Sequence, residues 1–194
     1  GLGDVYKRQA VNFKDAINIG AKHKFKEQKI DKEDIAFLQY TGGTTGGVKA
    51  AILSHRNVLA NAIQVREWLG ENLKFGEDLA ICALPLYHIF ALTCNSVVYF
   101  YFGANNILIT NPRDIPGFIK ILKKYKFTFI SGVNTLFNKL LEDKNFKDCD
   151  FSKLNITIAG GMPVQKSVGD RWQKTTDCLM AVSYTHLRAH ETPV

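Results

Sequence analysis

The chain has 194 residues, of which 46% are hydrophobic and 22% are charged. This balance is typical of a globular protein and excludes disordered, collagen-like and low-complexity chains. The formal net charge of +7 favours anionic partners such as nucleotides, phosphates or a membrane surface, but carries no information about the fold.

The four cysteines, Cys82, Cys94, Cys149 and Cys178, are widely spaced and form no C-x-x-C pair. A disulfide framework or a zinc site is therefore not expected, and free thiols are typical of a reducing compartment. We predict a cytoplasmic protein, with peripheral contact at the inner face of the membrane as an alternative.

A basic segment at residues 22–32 precedes the first motif. Its five lysines are interrupted by Glu27 and Asp31, and few aromatic residues lie among them. Nucleic-acid-binding regions carry recognisable motifs with basic and aromatic residues, and none is present here. The segment is predicted to be a solvated lead-in, and no nucleic-acid partner is expected.

The stretch with the clearest chemistry is residues 41–49, Thr-Gly-Gly-Thr-Thr-Gly-Gly-Val-Lys. Glycines let successive backbone N–H groups turn toward one anion, while threonine hydroxyls and a lysine add hydrogen bonds and charge. The spacing is not that of a Walker A loop, because Ala50 follows Lys49, and no G-x-G-x-x-G occurs. The loop is predicted to cradle a polyphosphate; a flexible turn between two strands is the alternative. The run Ala50–Leu53 after it is strand-like.

From residue 79 onward, short apolar runs alternate with amphipathic segments, which is typical of strands buried on both faces and of helices that pack against them. The predicted strands are Leu79–Leu84, Asn106–Thr110, Phe127–Ser131, Asn155–Ala159 and Cys178–Val182. The predicted helices are 55–69, 114–126, 134–142 and 163–175, with Ser54 and Asp114 as caps of the first two. This alternation predicts an α/β fold, a mostly parallel sheet with helices on both faces, which binds ligands at the carboxyl ends of its strands.

The most apolar stretch is 79–103. Pro85, His88 and Asn95 interrupt it, and its uninterrupted apolar runs are far shorter than the about 20 residues that a membrane span needs. A buried strand followed by a buried helix is the better interpretation.

The segment from Tyr40 to Lys49 resembles the phosphate loop of the adenylate-forming enzymes, the AMP-binding acyl- and aryl-CoA ligases. It departs from the family pattern at Val48, usually Pro or Ala, and at Ala50, usually Gly. The block at 84–90 resembles the family's substrate-side motif, and three further blocks, at 108–114, 132–138 and 159–165, look specifically like those of bacterial long-chain fatty-acid–CoA ligases. The resemblance extends from about residue 10 to about residue 180.

The resemblance implies the fold of part of the large N-terminal domain of such an enzyme. It also implies a two-step reaction. ATP and a carboxylate first give an acyl-adenylate and pyrophosphate, and coenzyme A then displaces AMP to give a thioester. It implies that the phosphate loop binds the β- and γ-phosphates, with Thr44 assigned to Mg²⁺; the loop residues are Thr41, Gly42, Gly43, Thr44, Thr45, Gly46 and Lys49. His88 would border the acyl carboxylate and the tunnel entrance, and apolar side chains of 89–102 would suit a tunnel. Val133, Asn134 and Thr135 would lie near the acyl pocket, and Gly160, Gly161 and Met162 would form a wall beside adenine and acyl group.

The later motifs of the family are not found in this sequence. The Y-G-x-T-E block is replaced by Ser183–Arg188, and neither the ribose-binding Asp nor the catalytic Lys can be assigned. Residues 1–9 and 182–194 resemble translated sequencing adapters rather than the family. We therefore expect an internal fragment, with a partial AMP-binding domain at 10–181, no catalytic residue of its own and no activity in isolation.

Three alternatives remain open from the sequence. Two of the alternatives are enzymes: an aryl-CoA ligase and the adenylation domain of a peptide synthetase. In another class, the chain would be a non-catalytic nucleotide-binding module, although such a module needs no apolar lining the size of an acyl chain.

Overall fold

Five parallel strands form the central sheet of the computed structural model, which describes residues 11–41 and 49–183. These strands are β3 (Leu79–Cys82), β4 (Asn105–Leu108), β5 (Phe129–Gly132), β6 (Ile156–Ala159) and β7 (Met180–Val182). Their order across the sheet is β4-β3-β5-β6-β7, and every neighbouring pair is parallel. All five predicted strands are confirmed, and the α/β fold class with them.

Helices follow the strands as the amphipathic patterns predict. The helices of residues 35–183 are α2 (His55–Leu69), α3 (89–101), α4 (Ile115–Leu122), α5 (Asn134–Glu142) and α6 (Lys166–Thr176), with 3-10 turns at Gly70–Asn72 and Phe146–Asp148. Helix α3 is composite: Ile89–Ala91 and Tyr99–Tyr101 are α-helical, and Leu92–Val98 between them is a π-helix. The predicted caps are present, because Ser54 accepts from the Asn57 amide and Asp114 accepts from the Gly117 amide.

The two faces of the sheet carry two separate hydrophobic cores. On one face, Phe118 of α4, Phe137 of α5 and Trp172 of α6 pack together and are each at most 1% exposed. On the other face, Ala62 of α2 and Tyr99 of α3 pack among the strands' remaining side chains. Burial of this apolar surface on both sides of the sheet is the main source of stability in such a layered fold.

Two details of the prediction were wrong. Helix α6 begins at Lys166 rather than at Pro163, because the amide of Gln165 is held by the side chain of Asn134 from a neighbouring turn. Strands β4 and β7 are not buried on both faces, since each lies at an edge of the five-stranded sheet and keeps partly exposed residues.

An antiparallel hairpin precedes the parallel sheet. Its strands are β1 (Ile35–Thr41) and β2 (Lys49–Ser54), and only these two strands form this small sheet among the described residues. The register pairs Tyr40 with Ala50 and Thr41 with Lys49. Strand β2 agrees with the strand-like run predicted at Ala50–Leu53, whereas β1 was not predicted.

Residues 1–34 form a unit separate from residues 35–194. In its described part, helix α1 (Phe13–Gly20) is capped by the side chain of Asn12, which accepts from the Lys14 amide. The basic segment 22–32 contains no helix or strand and is exposed throughout. Its prediction as a solvated lead-in is confirmed.

All four cysteines are free thiols, and Cys82, Cys149 and Cys178 are buried. Burial raises the pKa of the Cys94 thiol to about 12 and that of Cys149 to about 11. Because the thiolate is the reactive form, both cysteines are expected to behave as small hydrophobic side chains rather than as nucleophiles.

Within the described ranges, no helix combines the length and the hydrophobicity that a transmembrane span requires.

The glycines of the fold allow a matched test of packing. Gly169 lies inside α6, and a Cβ there would meet no atom within 4 Å, so Gly169→Ala should stabilise the chain by about 1 kcal/mol through helix propensity. At Gly132, a Cβ would lie 2.8 Å from Cζ of Phe137, and Gly132→Ala should destabilise by about 1–3 kcal/mol. Urea unfolding monitored by circular dichroism measures both; equal effects of the two substitutions would contradict this description of the core.

Candidate functional site

Three turns meet at the carboxyl edge of the sheet. They follow β3, β5 and β6, and they contain the predicted site residues His88, Val133 and Gly160. Because these strands are parallel neighbours in the order β3-β5-β6, their carboxyl ends lie side by side. The edge is therefore the place where the fold can gather functional groups from distant parts of the sequence.

At this edge the backbone of Gly160 lies close to the ring of Phe90 and to the side chain of Ser183. A Cβ on Gly160 would lie 2.9 Å from Cε1 of Phe90 and 2.6 Å from Oγ of Ser183, so only glycine fits without movement. The Gly160 amide donates to the carbonyl of Gly132 over 3.1 Å, which holds the turn in place. The backbone of Gly160 and the Phe90 ring thus form one continuous wall.

The turns after β5 and β6 are also tied to each other. Gly161 has a φ of +74°, and a Cβ at this position would lie 3.6 Å from Cγ1 of Val133. The side-chain oxygen of Asn134 accepts from the Gln165 amide over 3.0 Å, and Asn134 itself is buried. Asn134 therefore uses its amide oxygen to join the two turns, while Met162 beside them is 37% exposed.

A groove of about 270 Å³ opens on the same edge. Val133 and Thr135 line it together with Pro85, which belongs to the turn that carries His88. Arg113 and Lys139 also line it, and both are exposed. Two cations give this part of the edge a positive potential, which suits anionic substrates.

His88 is fixed by a hydrogen bond to the backbone. It is the N-cap of helix α3, and its Nδ1 accepts from the Phe90 amide over 3.2 Å. Since Nδ1 is the acceptor, the proton of the neutral imidazole lies on Nε2. The His88 side chain is exposed, so its Nε2–H is available as a donor to a ligand on the sheet edge.

An apolar cavity of about 180 Å³ is lined in part by residues that follow His88 in the sequence. The hairpin, helix α2 and helix α3 enclose it, and Ile89, the residue after His88, is part of its lining. The full lining is Phe37, Leu53, Asn57, Val58, Asn61, Ile89, Leu92, Thr93 and Val97. The apolar side chains of 89–102 were predicted to suit a tunnel. They fall into two groups: Ile89, Leu92 and Val97 line this cavity, whereas others, such as Val98 and Tyr99, are buried in the core.

The hairpin carries both ends of the predicted phosphate loop. Thr41 and Lys49 are paired across the ladder where β1 ends and β2 begins, and the Lys49 side chain is exposed. The remaining loop residues that were predicted, Gly42, Gly43, Thr44, Thr45 and Gly46, lie outside the described residues, as do residues 1–9 and 184–194. Because Thr44 is among them, its assignment to Mg²⁺ stays a prediction. Residues 11–41 and 49–183 contain no cluster of three His, Cys, Asp or Glu side chains that could hold a metal.

Several residues of the site could not be identified from sequence alone. Phe90 was predicted only as one of the apolar side chains of 89–102 that suit a tunnel, and its proximity to Gly160 was not predicted. Phe37 and Leu53 line the apolar cavity from the hairpin. Their only sequence signal is an apolar residue on either side of a glycine-rich loop, which is also what a simple hairpin would show.

Comparisons with known proteins agree with this geometry. Residues 3–185 match the family described as AMP-binding enzyme. A long-chain-fatty-acid–CoA ligase of Escherichia coli O6:H1 is 51% identical over 175 residues, which is 90% of this chain and 31% of that protein. A 4-coumarate–CoA ligase of Nicotiana tabacum is 30% identical over 149 residues, or 76% of this chain and 27% of that protein.

Solved structures show the same fold. The apo structure of MatB from Rhodopseudomonas palustris superposes with a TM-score of 0.72 at 24% identity, covering 88% of this chain and 33% of that chain. The chain spans about a third of the length of the curated relatives that it matches.

The cap at His88 predicts a local effect of substitution. His88→Ala removes the acceptor of the Phe90 amide and should weaken the first turn of α3 by about 1 kcal/mol, whereas His88→Asn keeps an N-cap acceptor. Hydrogen exchange at the Phe90 amide should accelerate about fivefold in the alanine variant and remain near the original rate in the asparagine variant. Equal exchange rates in all three proteins would show that the imidazole does not cap this helix.

Proposed function

The chain belongs to the AMP-binding enzyme family, and we propose that it is the part of a long-chain fatty-acid–CoA ligase that receives the ATP phosphates and the acyl chain. In the proposed reaction, a carboxylate oxygen of the fatty acid attacks the α-phosphorus of ATP, and pyrophosphate leaves. The thiol of coenzyme A then attacks the carbonyl carbon of the acyl-adenylate, and AMP leaves. The products are acyl-CoA, AMP and pyrophosphate.

The observation that carries this proposal is the apolar cavity lined in part by residues that follow His88. It begins at Ile89 on the sheet edge and continues between α2 and α3 beneath the hairpin whose strands enter the phosphate loop. His88 directly precedes Ile89, so a polar donor and an apolar cavity lie on consecutive residues, which matches the charged carboxylate and the hydrocarbon tail of a fatty acid. The cavity therefore supports a fatty acid as one of the two substrates of the first step.

Each group has a physical role in the proposed reaction. The loop amides, the threonine hydroxyls and Lys49 would stabilise the charge on the β- and γ-phosphates and on the leaving pyrophosphate. Mg²⁺, held in part by Thr44, would supply further charge stabilisation when bound. The Nε2–H of His88 would donate to the carboxylate, and the wall made by Gly160, Gly161 and Met162 would orient the acyl group.

Two observations favour a fatty acid over the alternatives. The identity to the long-chain ligase, 51%, exceeds the 30% identity to the 4-coumarate ligase, which disfavours an aryl substrate. The apolar lining of the cavity disfavours a module that binds only a nucleotide, because such a module buries no hydrocarbon tail.

We further propose a cytoplasmic location with peripheral contact at the inner face of the membrane. Four free thiols support a reducing compartment. The contact with the membrane surface would follow from the net charge of +7 and from a substrate that partitions into lipid.

The experiment is a chimera in which residues 11–181 replace the matching segment of the Escherichia coli relative. Pyrophosphate release should depend on long-chain fatty acids and not on 4-coumarate or amino acids, and the isolated 194-residue chain should form no acyl-adenylate. A chimera that prefers aromatic or amino acids would refute the proposed substrate class. A chimera that binds ATP without any response to an acid would support the nucleotide-binding module instead.

The wall at Gly160 gives a sharper prediction in the same chimera. Gly160→Ala places a methyl group 2.9 Å from Phe90, so the ring must move, and the KM for the fatty acid should rise about tenfold. The KM for ATP should change less than about twofold. Gly169→Ala, whose added methyl group meets open space, is the matched control. Unchanged fatty-acid kinetics in a folded Gly160→Ala protein would place the acyl group elsewhere.

A further inference from the structure

Helix α3 changes its hydrogen-bond pattern at the apolar cavity. Its middle segment, Leu92–Val98, is a π-helix of seven residues, a rare geometry that is found mostly at functional sites. Leu92, Thr93 and Val97 of this segment line the cavity. Asn95, two residues from both Thr93 and Val97, is completely buried toward the sheet.

The side chain of Asn95 is the centre of a polar network between α3 and three strands. Ser131 of β5, also fully buried, donates from Oγ to Asn95 Oδ1 over 2.7 Å. Asn95 Nδ2 makes longer contacts, 3.5 Å to the carbonyl of Ile81 on β3 and 3.4 Å to Oδ1 of Asn106 on β4. Asn106 Nδ2 donates back to the Asn95 carbonyl over 2.9 Å.

This network gives the π segment a unique orientation. The apolar contacts of Val98 and Tyr99 in the core are not directional, so they would tolerate a small rotation or shift of α3. Rotation by one residue turns an α-helix through about 100°. Such a rotation would leave the buried amide of Asn95 and the hydroxyl of Ser131 without partners, which is costly in a low-dielectric interior. The network therefore also determines where Thr93 and Val97 stand in the cavity wall.

We propose that Asn95, anchored by Ser131, is a positioning residue that fixes the π segment and thereby sets which acyl chains the cavity accepts. This inference rests on the proposed function, because it takes the cavity to be the acyl site. Asn95 itself touches no substrate. Its effect should be larger for long acids, whose tails fill more of the cavity and contact Thr93 and Val97, than for short acids.

The test compares variants of the chimera described above, with palmitate and octanoate as substrates. Ser131→Ala removes the shortest hydrogen bond with the least change of shape. The double variant Asn95→Leu/Ser131→Ala replaces both partners by apolar groups, which restores much of the stability that a single substitution loses. Thr157→Val is the matched control, because Thr157 is equally buried and accepts from Trp172 Nε1 over 3.1 Å, away from the cavity.

Both Ser131→Ala and the double variant should raise the KM for palmitate about fivefold relative to that for octanoate, with kcat within about twofold. Thr157→Val should lower the melting temperature without changing this ratio. An unchanged ratio in Ser131→Ala and in a folded double variant would overturn the inference, as would an equal shift in Thr157→Val. If the unmodified chimera shows no fatty-acid-dependent activity, the proposed function fails first and the inference falls with it.

Discussion

The parallel pairing of β3, β5 and β6 is the constraint on which the rest of the structure depends. Strand β5 lies in the middle, with Phe129 packed into the core on one face and Ile130 into the core on the other, both fully buried. A shift of register by one residue would exchange these two faces, so the pairing is strongly determined. Once it is set, the turns after the three strands must meet, and the distances between Gly160, Phe90 and Val133 follow.

The fold was largely predictable because its signals are local. The buried strands are continuous apolar runs, and α2, α4 and α5 show one apolar stripe each, with caps at Ser54 and Asp114 where the pattern starts. The features that were predicted wrongly or not at all depend on contacts between residues that are distant in the sequence. The start of α6 is set by Asn134 of another turn, and the π geometry of α3 accompanies a hydrogen bond from Ser131 on β5. The two partners are 31 residues apart in the first contact and 36 residues apart in the second, so no local sequence pattern contains both partners.

The resemblance named the residues of the candidate site but not the contacts that each of them makes in the fold. The resemblance to adenylate-forming enzymes placed His88, Val133 and Gly160 in one site, and the sheet brings their turns together. It did not indicate that Asn134 holds a neighbouring backbone, or that the His88 ring caps its own helix through Nδ1. It also gave no reason why residue 160 is glycine, because that reason is the proximity of the Phe90 ring and the Ser183 hydroxyl, both distant from Gly160 in the sequence.

The two-stranded hairpin has a consequence for handling this chain outside a longer protein. Among the described residues, β1 and β2 pair only with each other, so each strand keeps one row of backbone donors and acceptors without a neighbouring strand. Ile35, Leu38 and Ile52 on these strands are more than half exposed. An open edge with exposed apolar side chains is a template for intermolecular strand pairing. These open edges therefore make the 194-residue chain prone to self-association at high concentration.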